Sequence, residues 1–317
     1  MSWDLVSDIG GTNMRVAQVA DGAILSRQDF PMTQGRDIAE TLGDVAAGLG
    51  GSPRAVIAAG AGPVQNGEIS LTNGGWLVSE TRISAATGAQ DVRVINDFEA
   101  AAWSLATLED KDVQAIGDSG PLRLGHRAAV GPGTGLGVGN LIWTGTEFNV
   151  VPGEGGHVAV GPRNEIEIAV FNRLIDLWPE TRVGQTMTVE AEALLSGTGL
   201  PVLYEACGGA PETKGEVIFA RARDGEEEAQ LCRNIFKTHL AGLAGNLAVT
   251  LNATGGIFLL GGVAQLNPDL FDEIFWDAFH KGGRGKFTEL RSKCGIYLVT
   301  IKDFGLRGCV NALTARQ

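Results

Sequence analysis

Three glycine-rich turns and a few scattered carboxylates hold the chemistry this sequence offers. Asp8 and Ile9 lead into Gly10, Gly11 and Thr12 in "DIGGTN", Gly133, Thr134 and Gly135 lie within "GPGTGLG", and Gly261 and Gly262 follow an apolar run in "LLGGVA". Glycine tolerates positive φ and close backbone approach, so such turns can aim successive N–H groups at phosphate oxygens. The plainer reading of any one of them is a hairpin. Neither familiar nucleotide pattern fits: the glycines of "GPGTGLG" recur every second residue, not as Gly-x-Gly-x-x-Gly, and no Gly-Lys-Ser/Thr follows any loop. A third kind of phosphate site is required. In it Thr12 and the loop amides hold phosphate oxygens while Asp8 holds a magnesium ion through water; alternatively, Asp8 only caps its turn.

Asn96 and Asp97 stand where the strand "VRVI" ends and a helix begins, a place that exposes side chains at the carboxyl end of a sheet. Both types also suit a helix N-cap, and position alone does not choose. In "PGEGGH", Glu154 and His157 are three residues apart on a glycine-rich loop. As a metal half-site the pair lacks a second histidine and the helical zinc-protease pattern. Glu192, in "EAEALLSGTG", passes for a solvated helix residue. Cys207, Cys232, Cys294 and Cys309 form no Cys-x-x-Cys or zinc grouping and read as reduced, buried thiols.

These residues need elements to position them. "WDLVSD", "MRVAQVAD" and "AILSRQDF" read as a meander with Asp21-Gly22 as its second turn, followed by a helix over "RDIAETLGDVAAGLG" that closes at Gly50-Gly51. "RAVIAAGAGPV" is a buried strand, Asn66-Gly67 a turn into "EISLTN", and "DVRVIND" a strand feeding the helix "DFEAAAWSLATL". The pattern restarts at Arg127, and setting Gly133-Thr134 under Gly11-Thr12 keeps about two strands in register. A long core helix then runs through "EEEAQLCRNIFKTHLAGLAGNLAVTLNATGG", with its stop at Gly255-Gly256. Two similar α/β halves facing each other across a cleft are expected, with ligands bound at the loops between them.

The formal net charge of -12 argues against a nucleic-acid partner, because phosphate-backbone binding needs clustered Lys and Arg. The N-terminus has no basic region before an apolar run, and glycines interrupt the longest apolar stretches. Those features predict a soluble, cytoplasmic protein with no membrane partner.

"DIGGTNMRVA", "VINDFEAAAW", "GPGTGLGVG", "PGEGGH", "EALLSGTGL" and "GGIFLLGGVA" occur in the order found in bacterial ATP-dependent glucokinases of the actin/hexokinase-like superfamily, which this chain resembles from its N-terminus to about residue 265. The resemblance implies two actin/ribonuclease H-like domains, mixed sheets with flanking helices, over residues 1–104 with a C-terminal helix at about 304–317, and 105–303. It implies ATP and D-glucose as substrates, magnesium as cofactor and a homodimer. The Asp matching Asp97 is the family's general base, taking the proton from the sugar 6-hydroxyl as that oxygen attacks the γ-phosphoryl group. Asn96, Glu154, His157 and Glu192 match sugar contacts, and Asn73 in "LTNGGW" is a second-tier one. The related ROK kinases carry a cysteine-rich zinc motif after their histidine loop; "HVAVGPRNEIEIAV" has no cysteine, which favours the non-ROK branch. Alternatives are a kinase for mannose, fructose or an acylated aminosugar, a sugar sensor, or an ATPase module of the actin and chaperone kind. A sensor-repressor needs a basic helix-turn-helix segment, and the first residues are already strand. Exclusion of attacking water predicts that the halves close around sugar. Arg15 either steadies its loop or faces the transferred phosphate.

Overall fold

Burial falls off across the first three strands, from one buried at nearly every position, through one buried in part, to a largely exposed edge strand. The computed structural model of the chain describes residues 2–33, 37–71, 75–281 and 284–315. β1 (Asp4–Ile9) and β2 (Asn13–Ala20) pair antiparallel, with Asp8 opposite Arg15, and β3 (Ala23–Pro31) pairs with β2. The turn between β2 and β3 is Asp21-Gly22, both at positive φ (50° and 73°), as a tight hairpin of matching twist requires. α1 (Ile38–Gly48) starts at Asp37, whose side chain accepts from Glu40 N. It buries Ile38, Leu42 and Val45 and stops where Gly50 turns to φ 87°. It leads to β4 (Ala55–Gly60), buried at every position and parallel to β1. Asn66-Gly67, again at positive φ, opens the small hairpin of β5 (Glu68–Ser70) and β6 (Leu77–Ser79). α2 (Glu80–Thr87) then crosses to β7 (Asp91–Asn96), parallel to β4, and α3 (Asp97–Ser104) follows. The sheet order is β3-β2-β1-β4-β7.

The same plan recurs along the chain. β8 (Val113–Ile116) precedes a second meander of β9 (Arg127–Pro132), β10 (Leu136–Trp143) and β11 (Phe148–Val151). β12 (Ala159–Val160) and β13 (Val189–Glu190) then make a short ribbon around α4 (Glu165–Leu177). Four helices follow: α5 (Glu192–Leu195), α6 (Gly199–Ala206), α7 (Gly215–Arg223) and α8 (Glu227–Thr250). β14 (Gly256–Leu259) lies parallel to β9, and after α9 (Gly262–Leu266), α10 (Glu273–Lys281) and α11 (Lys286–Ser292) comes β15 (Ile296–Val299), parallel to β14. The order is β11-β10-β9-β14-β15-β8, so five strands repeat the first sheet and β8 adds an antiparallel edge. The repeat expected at Gly133-Thr134 therefore extends to the whole strand order. The C-terminal helix, α12 (Phe304–Thr314), packs on α3 so tightly that a methyl group at Gly308 would overlap the Ala100 carbonyl.

The chain divides into two compact units. One comprises Met1–Leu108, Gly139–Gly153 and Ile301–Gln317, the other Glu109–Val138 and Glu154–Thr300. Leu5, Ile9, Met14, Leu42 and Val56 centre the first core, and Phe171, Leu203, Tyr204, Phe236 and Phe275 the second. Each such side chain contributes about 2 kcal/mol by leaving water. The stop of α8 differs from expectation: the helix ends at Thr250, and Asn252 at φ 48°, not Gly255, takes the left-handed position. Ala253 N donates to Ala248 O and Asn252 N to Val249 O, a Schellman closure made with Asn. Cys207 also departs from the buried-thiol expectation, being half-buried; all four cysteines are free.

Candidate active site

In the first unit the parallel strands bring three chain reversals together. Ile9 lies opposite Gly60, and Gly60 opposite Asn96, so β1, β4 and β7 end side by side. Asn96 caps α3: its Oδ1 accepts from Phe98 N (2.7 Å) and Glu99 N (3.3 Å), and its Nδ2 donates to Gly62 O at 3.0 Å. The cap reading is thus realised, and it locks the end of β7 against the loop after β4. Asp97 is the first residue of α3, half-buried, with Oδ1 accepting from Phe98 N at 3.0 Å.

Asp8 faces its cross-strand partner. Arg15 Nη1 donates to Asp8 Oδ2 at 2.9 Å, so of the two roles open to Arg15 the structure shows it holding the carboxylate beside the loop. Burial pushes the Asp8 carboxyl above its usual range, against the pull of Arg15. Gly305 of α12 faces the same carboxyl, where a methyl group would come within 2.6 Å of Asp8 Cγ. Gly10 N donates to Asn13 O at 2.9 Å to close the turn, with Gly11 and Thr12 exposed at its tip. Asn73 lies outside the described residues; Trp76 is half-buried.

The second unit assembles its own set around the β9–β10 turn. Gly133 N donates to Gly135 O (2.9 Å), Gly197 N to Gly133 O (2.7 Å), and Thr198 N and Oγ1 both to Thr134 O (3.1 and 2.9 Å). Glu192 opens α5 and reaches the turn: its Oε2 accepts from Leu136 N at 2.8 Å, and a methyl group at Gly135 would sit 2.6 Å from that oxygen. It is therefore anchored to the glycine turn, unlike a solvated helix residue. Gly261, at φ 87°, comes so near Pro132 that a Cβ would lie 2.8 Å from its carbonyl oxygen, which puts the Gly261-Gly262 turn beside the Gly133 turn. Gly156 presses on the Leu136 carbonyl, seating the loop of Glu154 and His157 on β10.

His157 has a partner that sequence reasoning missed. Its Nδ1 is 2.8 Å from Glu190 Oε2, and both side chains are partly exposed (48% and 37%). Glu190 holds the imidazole pKa above its ordinary value against partial burial, and Glu192 and Glu154 add to the effect. The only available signal was the alternation of Glu190 and Glu192 in "VEAEA".

Among the described residues no cluster of three or more His, Cys, Asp or Glu could cage a metal. A magnesium ion carried by a nucleotide asks for less, one or two carboxylates besides phosphates and water, and Asp8 meets that requirement with a single carboxylate. Nor is any helix among the described residues long and apolar enough to cross a membrane.

Comparison with known proteins bears on the family and the fold. The glucokinase family model matches residues 5–316. A glucokinase of Chelativorans sp. (strain BNC1) is 35% identical over 315 residues, covering 96% of this chain and 89% of its own. The crystal structure of a glucokinase from an Antarctic psychrotroph superposes with a TM-score of 0.84 at 26% identity over 99% of both chains. That of Balamuthia mandrillaris, in complex with glucose, gives 0.79 at 21% identity over 100% of this chain and 94% of its own, a likeness of fold alone. The turn-bearing double sheet and the family match along nearly its whole length lead to one conclusion: the chain belongs to the glucokinase family.

Proposed function

We propose that the protein transfers the γ-phosphoryl group of ATP to the 6-hydroxyl of D-glucose, with Asp97 as general base. The observation that carries this is the placement of Asp97 at the head of α3, directly beyond a parallel strand end, in a chain matched by the glucokinase family model over residues 5–316. Phosphoryl transfer asks a protein chiefly for alignment and charge stabilisation. The Asp97 carboxylate accepts the proton of the 6-hydroxyl as its oxygen attacks phosphorus, and the helix N-terminus favours the negative charge that this role needs. Asn96 fixes that carboxylate in place through its cap and its bond to Gly62, and its remaining Nδ2 hydrogen serves a sugar hydroxyl. Glu154, His157, Glu192 and, second to them, Asn73 hold further hydroxyls.

The nucleotide lies against the turns of Ile9, Gly10, Gly11 and Thr12, of Gly133, Thr134 and Gly135, and of Gly261 and Gly262, where the Gly10 and Gly133 amides close their own turns and the absence of side chains lets phosphate approach the backbone. Asp8 would hold magnesium through water, and the ion, when bound, offsets the charge on the phosphate oxygens. An ATP-consuming enzyme of this kind works in the cytoplasm, where its nucleotide is, and family precedent makes it a homodimer.

The test is a coupled ADP assay on Asp97→Asn. Replacing the base should lower kcat at least about 100-fold with little change in KM for glucose. A variant that turns over near the native rate would remove Asp97 from the mechanism.

A further inference from the structure

We propose that Glu190 is a positioning residue for sugar binding: by occupying Nδ1 of His157 it makes Nε2 the ring nitrogen that meets a sugar hydroxyl. This rests on the reading of His157 as a sugar contact and goes beyond it, since Glu190 itself touches no substrate in that reading.

The backbone leaves the pair little freedom. β12 and β13 pair antiparallel with Ala159 opposite Glu190, and Ala191 N donates to Val158 O at 2.9 Å, so the Glu190 side chain is held beside the His157 turn. On the other side, Gly155 packs on Val138 and Gly156 on Leu136 with no room for a Cβ, so the turn bearing His157 is pinned to β10. The 2.8 Å approach of Nδ1 to Glu190 Oε2 is then the outcome of two fixed backbones, not of a flexible surface encounter. In "VEAE" the two glutamates divide the work: Glu192 turns to Leu136 N and Glu190 to His157.

The proton follows from the geometry. An ionised Glu190 only accepts, so Nδ1 must carry a hydrogen, and the ring's second nitrogen is left for a ligand. With the ring protonated, Nε2 donates to a hydroxyl oxygen; with it neutral, Nε2 accepts from a hydroxyl hydrogen. The charged groups acting on His157 are Glu190 from β13, Glu192 from α5 and Glu154 from its own loop, all acidic, and all favour the protonated ring. Glu190 is the largest influence, so removing its charge moves the donor-to-acceptor change of Nε2 to lower pH.

The experiment uses the full chain as wild type and as Glu190→Gln, which keeps the shape and removes the charge, with Glu190→Asp as the conservative variant. The chain has four histidines, so the ring signal of His157 can be assigned by its loss in His157→Gln and followed by NMR titration. In Glu190→Gln the His157 midpoint should fall toward the ordinary histidine value, and KM for glucose should rise about tenfold, the worth of one charge-assisted hydrogen bond. The loss falls on KM, not on kcat, the alkaline limb of kcat/KM against pH shifts to lower pH, and Glu190→Asp restores part of both effects. An unchanged His157 titration, or a moved titration with unchanged KM, overturns the proposal. Absence of glucose phosphorylation by the wild-type protein removes the sugar reading itself, and the titration then still reports separately on the Glu190–His157 pair.

Discussion

A carboxylate held by a loop amide has one position to offer, and Glu192 is held in this way. Its Oε2 lies on Leu136 N because residue 135 has no side chain. Gly135→Ala would bring a methyl group to 2.6 Å from that oxygen, and the atom that must yield is the end of a side chain, not backbone. The fold should therefore survive at a cost of about 1 kcal/mol, one hydrogen bond to a charged group partly replaced by water. The expected result is a protein that melts close to the wild type but binds glucose about tenfold more weakly by titration calorimetry. Wild-type affinity in Gly135→Ala would show that the carboxylate reaches sugar without its anchor. At this scale the sequence marked residue types well and partners badly. Asn96 was readable as both cap and site because the same amide chemistry suits both, and Arg15 could not be assigned until the β1–β2 register set it opposite Asp8.

The element that carries His157 continues into α4, and α4 is fastened to α8 by a buried polar cluster. Glu167 Oε2 accepts from Arg163 N at 2.8 Å and lies 3.0 Å from His239 Nε2, while Arg163 Nη1 donates to Thr238 O at 2.6 Å. Burial holds the His239 pKa below its ordinary value, so the ring stays neutral and donates to an ionised Glu167. In the unfolded chain the same histidine protonates near pH 6.5. Below that pH the unfolded state binds the extra proton, so stability falls with falling pH until the folded His239 also titrates. His239→Leu should flatten this part of the denaturant-unfolding profile below about pH 6.5 while costing about 2 kcal/mol at neutral pH, because Glu167 loses a buried donor. A profile equally steep without His239 would assign the slope to other groups. None of this cluster was legible in the sequence, and neither was α4. Val170, Phe171 and Leu174 face its core side, but Ile166 and Ile168 are 62% and 41% exposed, so apolar residues on both faces blur the helical period. β12 and β13 are two residues each, too short to alternate. Asn66-Gly67 and Asp21-Gly22 were legible because tight turns demand positive φ, and only a few residue types accept it.

Across the whole chain, the repeated strand order means that each sheet offers a glycine turn between the first two strands of its meander, and the sequence repeat detected the turns because their backbone requirement fixes residue type. The rest of the two meanders diverged freely, since a buried strand asks only for apolar residues of suitable size. How strictly glucose is preferred is read on the intact molecule through linkage. A ligand that binds only the folded state adds RT ln(1 + [L]/Kd) to stability, about 2.7 kcal/mol at 100 times Kd. For compact units of this size that amounts to a rise in melting temperature of roughly 5–10 °C. Glucose should produce it, and fructose, mannose and N-acetylglucosamine at equal concentration should each produce less, because a polar site loses most when a hydroxyl it is built to bond is moved or covered. The comparison is read by scanning calorimetry at fixed scan rate. Should N-acetylglucosamine or mannose raise the melting temperature more than glucose does, the chain keeps its family and its chemistry, and its substrate is reassigned to that sugar.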